Sequence, residues 1–116
     1  MARSAYRRSY RLPVRWRVQC KSARGEFAGT IRNASDRGFF VELASPAPVA
    51  VDTQLELDLD LGPNVVADSG NPRFNGHIVW RGFTEEYECH GIGVQLDEAV
   101  LHLESWHRVA FVQASA

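Results

Sequence analysis

Residues 54–61 carry the pattern that most constrains the fold of this 116-residue chain. In the segment QLELDLDL, leucines at 55, 57, 59 and 61 alternate with Glu56, Asp58 and Asp60. An apolar–polar period of two is typical of a β-strand with one face in a core and the other in solvent. The three acids are interpreted as that solvated face, because side chains pointing outward from one edge are poorly placed to enclose a metal ion.

Five further segments are typical of strands. They are residues 14–20, 26–32, 39–43, 74–83 and 87–96, which are rich in β-branched, aromatic or alternating apolar residues. Turn or loop signals separate them at 24–25, 33–38, 44–48 and 62–72. Six strands at roughly even spacing, with no helical pattern between them, predict an antiparallel barrel or a closed sandwich.

The C-terminal residues change period. From Asp97, a suitable N-cap, the apolar residues Ala99, Leu103, Trp106 and Ala110 recur at helical spacing. This predicts a short amphipathic helix that closes one end of the barrel. Its apolar stripe is interpreted as part of the core.

Length and composition limit the class of protein. The chain can enclose one core, 45% of its residues are hydrophobic, and no apolar run approaches the length of a membrane span. The N-terminus is basic and lacks the apolar stretch of a secretory signal, so we expect a soluble, cytoplasmic protein. Two cysteines, Cys20 and Cys89, are too few for a disulfide framework and are expected to be reduced.

Charge divides the chain into two parts. Eight of the 13 basic residues and none of the 14 acidic ones lie in residues 1–24. One interpretation is an anion-binding arm on an acidic body, and the other is simple neutralisation of that body. We expect a flexible basic arm at residues 1–12 and a single domain at 13–116.

Two short motifs favour anion binding. In residues 7–11 (RRSYR), Arg7 and Arg11 lie four apart, and an arginine fork can bond phosphate oxygens or the O6 and N7 edge of guanine. In residues 33–38 (NASDRG), Asn33 offers an amide for a base edge and Ser35 offers a hydroxyl. Gly38 allows a positive φ and close approach of a backbone. We expect this turn to hold Asn33 and Ser35 at the exposed end of a hairpin.

Taken together and in this order, the motifs resemble the RxxxR and (D/N)xSxxG signatures of the PilZ domain family. The resemblance extends from about Tyr6 to Leu103 and implies a six-stranded antiparallel β-barrel with a C-terminal α-helix. It implies a receptor for cyclic di-GMP that orders its arm on binding and signals to a partner protein. The implied ligand-binding residues are Arg7, Arg8, Arg11, Asn33, Ser35 and Gly38. Trp80 lies on a strand where some members stack an aromatic residue on guanine, although a core position is equally open.

Other functions are less well supported by the sequence. No nucleophile is paired with a base, the four histidines are scattered and there is no CxxC motif, so we expect neither an enzyme nor a metal or other cofactor. A PilZ-fold adaptor without the nucleotide remains an alternative. A small nucleic-acid-binding barrel is another, but the pI of about 6.4 makes a nucleic-acid partner improbable. No membrane partner is expected.

Overall fold

Six antiparallel strands form a closed barrel in the order β1-β2-β3-β6-β5-β4. The computed structural model describes residues 12–60 and 72–98. The strands are β1 (Leu12–Ser22), β2 (Gly25–Ser35), β3 (Gly38–Leu43), β4 (Gln54–Asp60), β5 (Arg73–Thr84) and β6 (Cys89–Leu96). Closure leaves β4 hydrogen-bonded to β1 on one side and to β5 on the other.

The interior of the barrel is filled by the apolar half of each alternating strand. Leu55, Leu57 and Leu59 of β4 are buried in the core, as the leucine alternation predicts. Trp16 and Cys20 of β1 are buried there too. Burial raises the pKa of the Cys20 thiol to about 12, so this cysteine is a neutral, reduced core residue at physiological pH.

The acidic face of β4 forms ion pairs across the strands that close the barrel. Asp58 lies between Lys21 of β1, 2.9 Å away, and Arg73 of β5, 2.7 Å away. The hydrogen bond from Lys21, with help from Arg73, holds the pKa of the Asp58 carboxyl below its ordinary value. Exposed pairs of this kind contribute little each, about 0–1 kcal/mol. They are consistent with this strand order, while burial of the apolar core is the main source of stability.

Three single-residue irregularities interrupt the strand registers. The pairing shifts between Pro13 and Trp16 of β1, between Ile31 and Asn33 of β2, and between Ile78 and Trp80 of β5. Each shift places one extra residue in its strand, as in a β-bulge. In β2 and β5 the side chains beyond the bulge change face, whereas β1 keeps its alternation, with Leu12 and Trp16 both buried. All three lie in the same part of the barrel wall.

The predicted strands are confirmed, with corrections at two hairpins. The sixth strand begins at Cys89 and not at residue 87, so Tyr87 lies in the β5–β6 turn. The other correction is at the β2–β3 hairpin. The sequence predicted that β2 ends at residue 32 and that a turn occupies 33–38. The strand instead continues to Ser35 and the turn is only Asp36–Arg37, because the bulge at Arg32 lets Asn33 and Ala34 stay in register with β3. A barrel, not a sandwich, is formed.

Several predictions fall outside the described residues. These are the basic arm, the loop at 62–72 except for its last residue, and the C-terminal helix beyond Glu98. Strand β1 begins at Leu12, one residue before the expected domain boundary. Within residues 12–60 and 72–98, no helix is long and apolar enough to cross a membrane.

Candidate functional site

A row of cross-strand partners runs over the outer surface of the barrel and joins the motif asparagine to the exposed tryptophan. Pro13 pairs with Asn33, Asn33 with Phe40, Phe40 with Gly93, and Gly93 with Trp80. Partners directly opposite each other in a sheet share a face. The row therefore spans five strands on one face, although Asn33 and Trp80 are 47 residues apart in sequence.

The bulges of β2 and β5 bring both ends of this row to the outside. Ile31 and Ile78 are fully buried, and a strict period of two would turn Asn33 and Trp80 inward with them. The extra residues Arg32 and Val79 reverse that orientation. Trp80 is consequently 41% exposed, which excludes the core position that the sequence left open.

The Trp80 side chain packs beside Gly82 and Gly93, and its ring is flanked by Phe40. A methyl group at Gly82 would lie 3.3 Å from Cζ2 of Trp80, and one at Gly93 would lie 3.5 Å from its Cβ. The Phe40 and Trp80 ring centroids are 6.1 Å apart at 41°. Because Gly82 and Gly93 have no side chains, the aromatic residues Trp80 and Phe40 can pack together on the barrel surface.

Tyr87, from the turn between β5 and β6, folds over the same surface. Its ring stacks on Phe40, with centroids 5.1 Å apart and planes at 21°. Asn33 Nδ2 donates a 2.9 Å hydrogen bond to the Tyr87 hydroxyl. The Arg32 guanidinium carbon lies 4.8 Å from the centre of the Tyr87 ring, a cation–π contact. Arg32 is also paired with Glu42 of β3.

Ser35 is buried, and this corrects the expectation of an exposed position. Only 3% of the residue is accessible. Its Oγ accepts a hydrogen bond from the Arg37 amide at 3.3 Å and donates one to the Gly38 carbonyl at 3.4 Å. Such bonds fix the local path of the chain. Ser35 shapes the turn, while Asn33, Asp36 and Arg37 reach the surface.

Gly38 is required for packing, and the predicted positive φ is wrong. Among the described residues, the glycines with positive φ are Gly25 and Gly82. A methyl group at Gly38 would instead come within 2.6 Å of the carbonyl oxygen of Val94 on β6. The close approach at Gly38 is between the backbones of β3 and β6, and its role in ligand binding stays a prediction.

The arginines of the first motif, Arg7, Arg8 and Arg11, lie outside the described residues. The structure fixes the point at which their segment joins the barrel. Leu12, which directly follows Arg11, pairs with Ala34, in the middle of the second motif. The described chain therefore begins beside the second motif.

Sequence reasoning missed Arg32, Phe40 and Tyr87. Phe40 and Arg32 look like ordinary strand residues, and Tyr87 is 54 residues from Asn33, so no local pattern links them. Within the described part of the chain, no group of three or more His, Cys, Asp or Glu residues could hold a metal ion.

Comparisons with known proteins identify the same fold. The model of the PilZ domain family matches residues 5–106. The Bacillus subtilis inhibitor of motility MotI/DgrA aligns at 14% identity and a TM-score of 0.65, over 93% of this chain and 51% of that one. The chain thus spans about half the length of that protein. No curated protein sequence matches significantly.

Two isolated domains align along most of their lengths. The PilZ domain of YcgR from Escherichia coli, solved with c-di-GMP, aligns at 13% identity and a TM-score of 0.61, over 93% of this chain and 90% of that one. The PilZ domain of CeSA from a cellulose-synthesising bacterium aligns at 18% identity and a TM-score of 0.53, over 90% and 94%. At such identities the likeness establishes the fold.

Replacement of Gly38 by alanine is expected to destabilise the barrel by about 1–3 kcal/mol, because the new methyl group meets rigid backbone at Val94. Urea denaturation measures this free energy of unfolding. Gly93→Ala is the matched control, since its methyl group would make only ordinary contacts at 3.5 Å and beyond. Equal stability of the two variants would contradict a packing role for Gly38.

Proposed function

Because the chain belongs to the PilZ domain family, we propose that it is a receptor for cyclic di-GMP that transmits ligand binding to a partner protein. The observation that carries this proposal is the position of Leu12, the residue that directly follows the first motif. Pairing of Leu12 with Ala34 joins the RxxxR segment to the barrel beside Asn33. A ligand held by that segment would meet the outer surface of β2, β3 and β5.

The residues at this surface suit the chemistry of a cyclic dinucleotide. Arg7 and Arg11 would bind phosphate or guanine through their guanidinium forks, with Arg8 as an additional phosphate contact. Asn33 would bond a guanine edge. Trp80 offers an exposed ring for stacking on a base, a contact worth about 1–3 kcal/mol per base in other proteins.

Ser35 and Gly38 would act through the shape of the turn. The Ser35 hydroxyl bonds the backbone of Arg37 and Gly38, and Gly38 lets β3 approach β6. Together they hold Asn33 at the barrel surface. This assigns the binding contacts to the arm, to Asn33 and to Trp80, and assigns the support to Ser35 and Gly38.

Signalling would follow from ordering of the arm. Residues 1–11 carry four basic residues and no apolar period, so phosphates and guanines would supply the partners that fix their conformation. A newly ordered arm presents a surface that a downstream protein can recognise. The protein would therefore act as a cytoplasmic, non-enzymatic effector of the nucleotide signal.

Isothermal titration calorimetry with cyclic di-GMP, beside GTP and a short single-stranded DNA, tests the proposal. We expect micromolar affinity for cyclic di-GMP, about −8 kcal/mol, and weaker binding of the other two. Absence of cyclic di-GMP binding would favour a protein-interaction adaptor. Tighter binding of the DNA would favour the nucleic-acid-binding barrel.

Replacement of Arg7 or Arg11 by alanine is expected to weaken cyclic di-GMP binding by roughly 1.5–3 kcal/mol, because each removes charge-assisted hydrogen bonds. The same titration measures the loss. Arg24→Ala is the control, since Arg24 is exposed in the β1–β2 turn, at the end of β2 away from Asn33. Equal effects of all three variants would show that the arm is not the binding element.

Replacement of Trp80 by alanine is expected to weaken binding by about 1–3 kcal/mol through loss of stacking. Phe83→Ala provides a matched control, because Phe83 is 57% exposed on the same strand and its described ring contact is with His90, not Phe40. Similar losses for both variants would indicate a general effect of the β5 surface. Unchanged affinity of the Trp80 variant would remove Trp80 from the site.

Hydrogen exchange of residues 1–11 is expected to slow when cyclic di-GMP binds, because fixed amides exchange less readily than those that open often. Fixing each residue costs about 1–2 kcal/mol of backbone entropy, which limits the affinity. Mass spectrometry with and without ligand measures the change. Equal exchange in both states would mean that another element reports ligand binding.

A further inference from the structure

We propose that Tyr87 is a positioning residue for the binding of cyclic di-GMP. Tyr87 holds the Asn33 side chain in the orientation that bonds a guanine edge. This inference rests on the proposed receptor function and names a residue outside both motifs. The evidence is a connected set of contacts among Tyr87, Asn33, Arg32 and Phe40. The residue acts on the ligand through Asn33.

Tyr87 is held at its ring and at its hydroxyl. Phe40 stacks on the ring at 5.1 Å, and the Arg32 guanidinium lies 4.8 Å from the ring centre. Glu42 in turn pairs with Arg32. The hydroxyl therefore has a fixed position when it accepts the 2.9 Å hydrogen bond from Asn33 Nδ2. A rigid acceptor of this kind restricts the rotamers of the asparagine.

The backbone of the β5–β6 hairpin is built so that Tyr87 can reach this position. Glu88, the next residue, has φ of +51°, a left-handed conformation that reverses the chain after Tyr87. Gly91 of β6 lacks a side chain at the place where Phe40 lies, since a methyl group there would be 2.5 Å from the Phe40 ring. These two features let the tyrosine stack on Phe40, over the wall of the barrel.

The orientation of Asn33 has a direct chemical consequence. An amide carries its donor and acceptor on opposite sides, so with Nδ2 turned to Tyr87 the carbonyl oxygen Oδ1 turns away from it. The Watson–Crick edge of guanine presents N–H donors, which need an acceptor such as this oxygen. A side chain already held in the bound orientation loses less entropy on binding, so affinity increases without a new ligand contact.

Tyr87→Phe tests the inference, because it removes the hydroxyl and keeps the ring that contacts Phe40 and Arg32. Without the hydroxyl, the Asn33 side chain must be ordered when the ligand binds, which predicts affinity for cyclic di-GMP about threefold to tenfold weaker. Thr84→Val is the control, since it removes a hydroxyl from the same hairpin at a residue with no described contact to Asn33. Thermal denaturation establishes that each variant is folded at the temperature of the titration.

A double-mutant cycle separates positioning of Asn33 from a general structural effect. If Tyr87 acts through Asn33, Tyr87→Phe should have no further effect on affinity in an Asn33→Ala background. It should retain its full threefold to tenfold effect in an Arg7→Ala background, because the arm contact is independent of the amide. A purely structural role would give the same loss in both backgrounds and would overturn the inference.

The remaining outcomes separate this inference from the proposed function. Equal affinity of the wild-type protein and the Tyr87→Phe variant would overturn the positioning role and leave the receptor function intact. Failure of the folded wild-type protein to bind cyclic di-GMP would overturn both. An equal loss in Thr84→Val would assign the effect to the hairpin as a whole, against a specific role for the Tyr87 hydroxyl.

Discussion

A β-strand alternates its side chains between two faces, and the outer surface of this barrel depends on where that alternation is interrupted. Without the extra residues at Arg32 and Val79, Asn33 and Trp80 would point into the core with Ile31 and Ile78. A buried amide needs hydrogen-bond partners that an apolar core does not supply. The bulges therefore keep Asn33 and Trp80 out of the core and bring both to the outer surface.

The aromatic residues on the outer surface pack against glycines, whereas the core is filled by large apolar side chains. Gly82 of β5 and Gly91 of β6 have no side chain where the rings of Trp80 and Phe40 lie. Glycine in a strand weakens the strand itself, by roughly 0.5–1 kcal/mol relative to alanine. The cost is offset where aromatic rings pack on the exposed backbone. The result is a partly exposed aromatic surface on the barrel.

In the proposed receptor, charge and shape recognition come from different parts of the chain. The arginines of the N-terminal segment supply strong but adaptable contacts to an anion. The barrel supplies a neutral surface in which Tyr87, Phe40 and Arg32 hold one another and, through Tyr87, hold Asn33. Such a division lets electrostatic attraction drive association, while the fixed amide and ring select the base.

The sequence by itself determined the strands and limited the fold to an antiparallel barrel or a closed sandwich; closure into a barrel was seen only in the structure. The leucines of β4 and the evenly spaced turn signals suffice for the strands, because a period of two and a turn are local properties of a chain. It also located both motifs, since each is a few residues long. Only the folded barrel determines that Ser35 is buried, that Gly38 packs closely against β6, and that Trp80 is exposed. Those outcomes depend on which residues of distant strands are paired. The position of a one-residue bulge, which reverses the face of the residues after it, cannot be located from composition or from a local period. The link between Asn33 and Tyr87 has the same origin, because only the closed sheet brings the β5–β6 turn against β2.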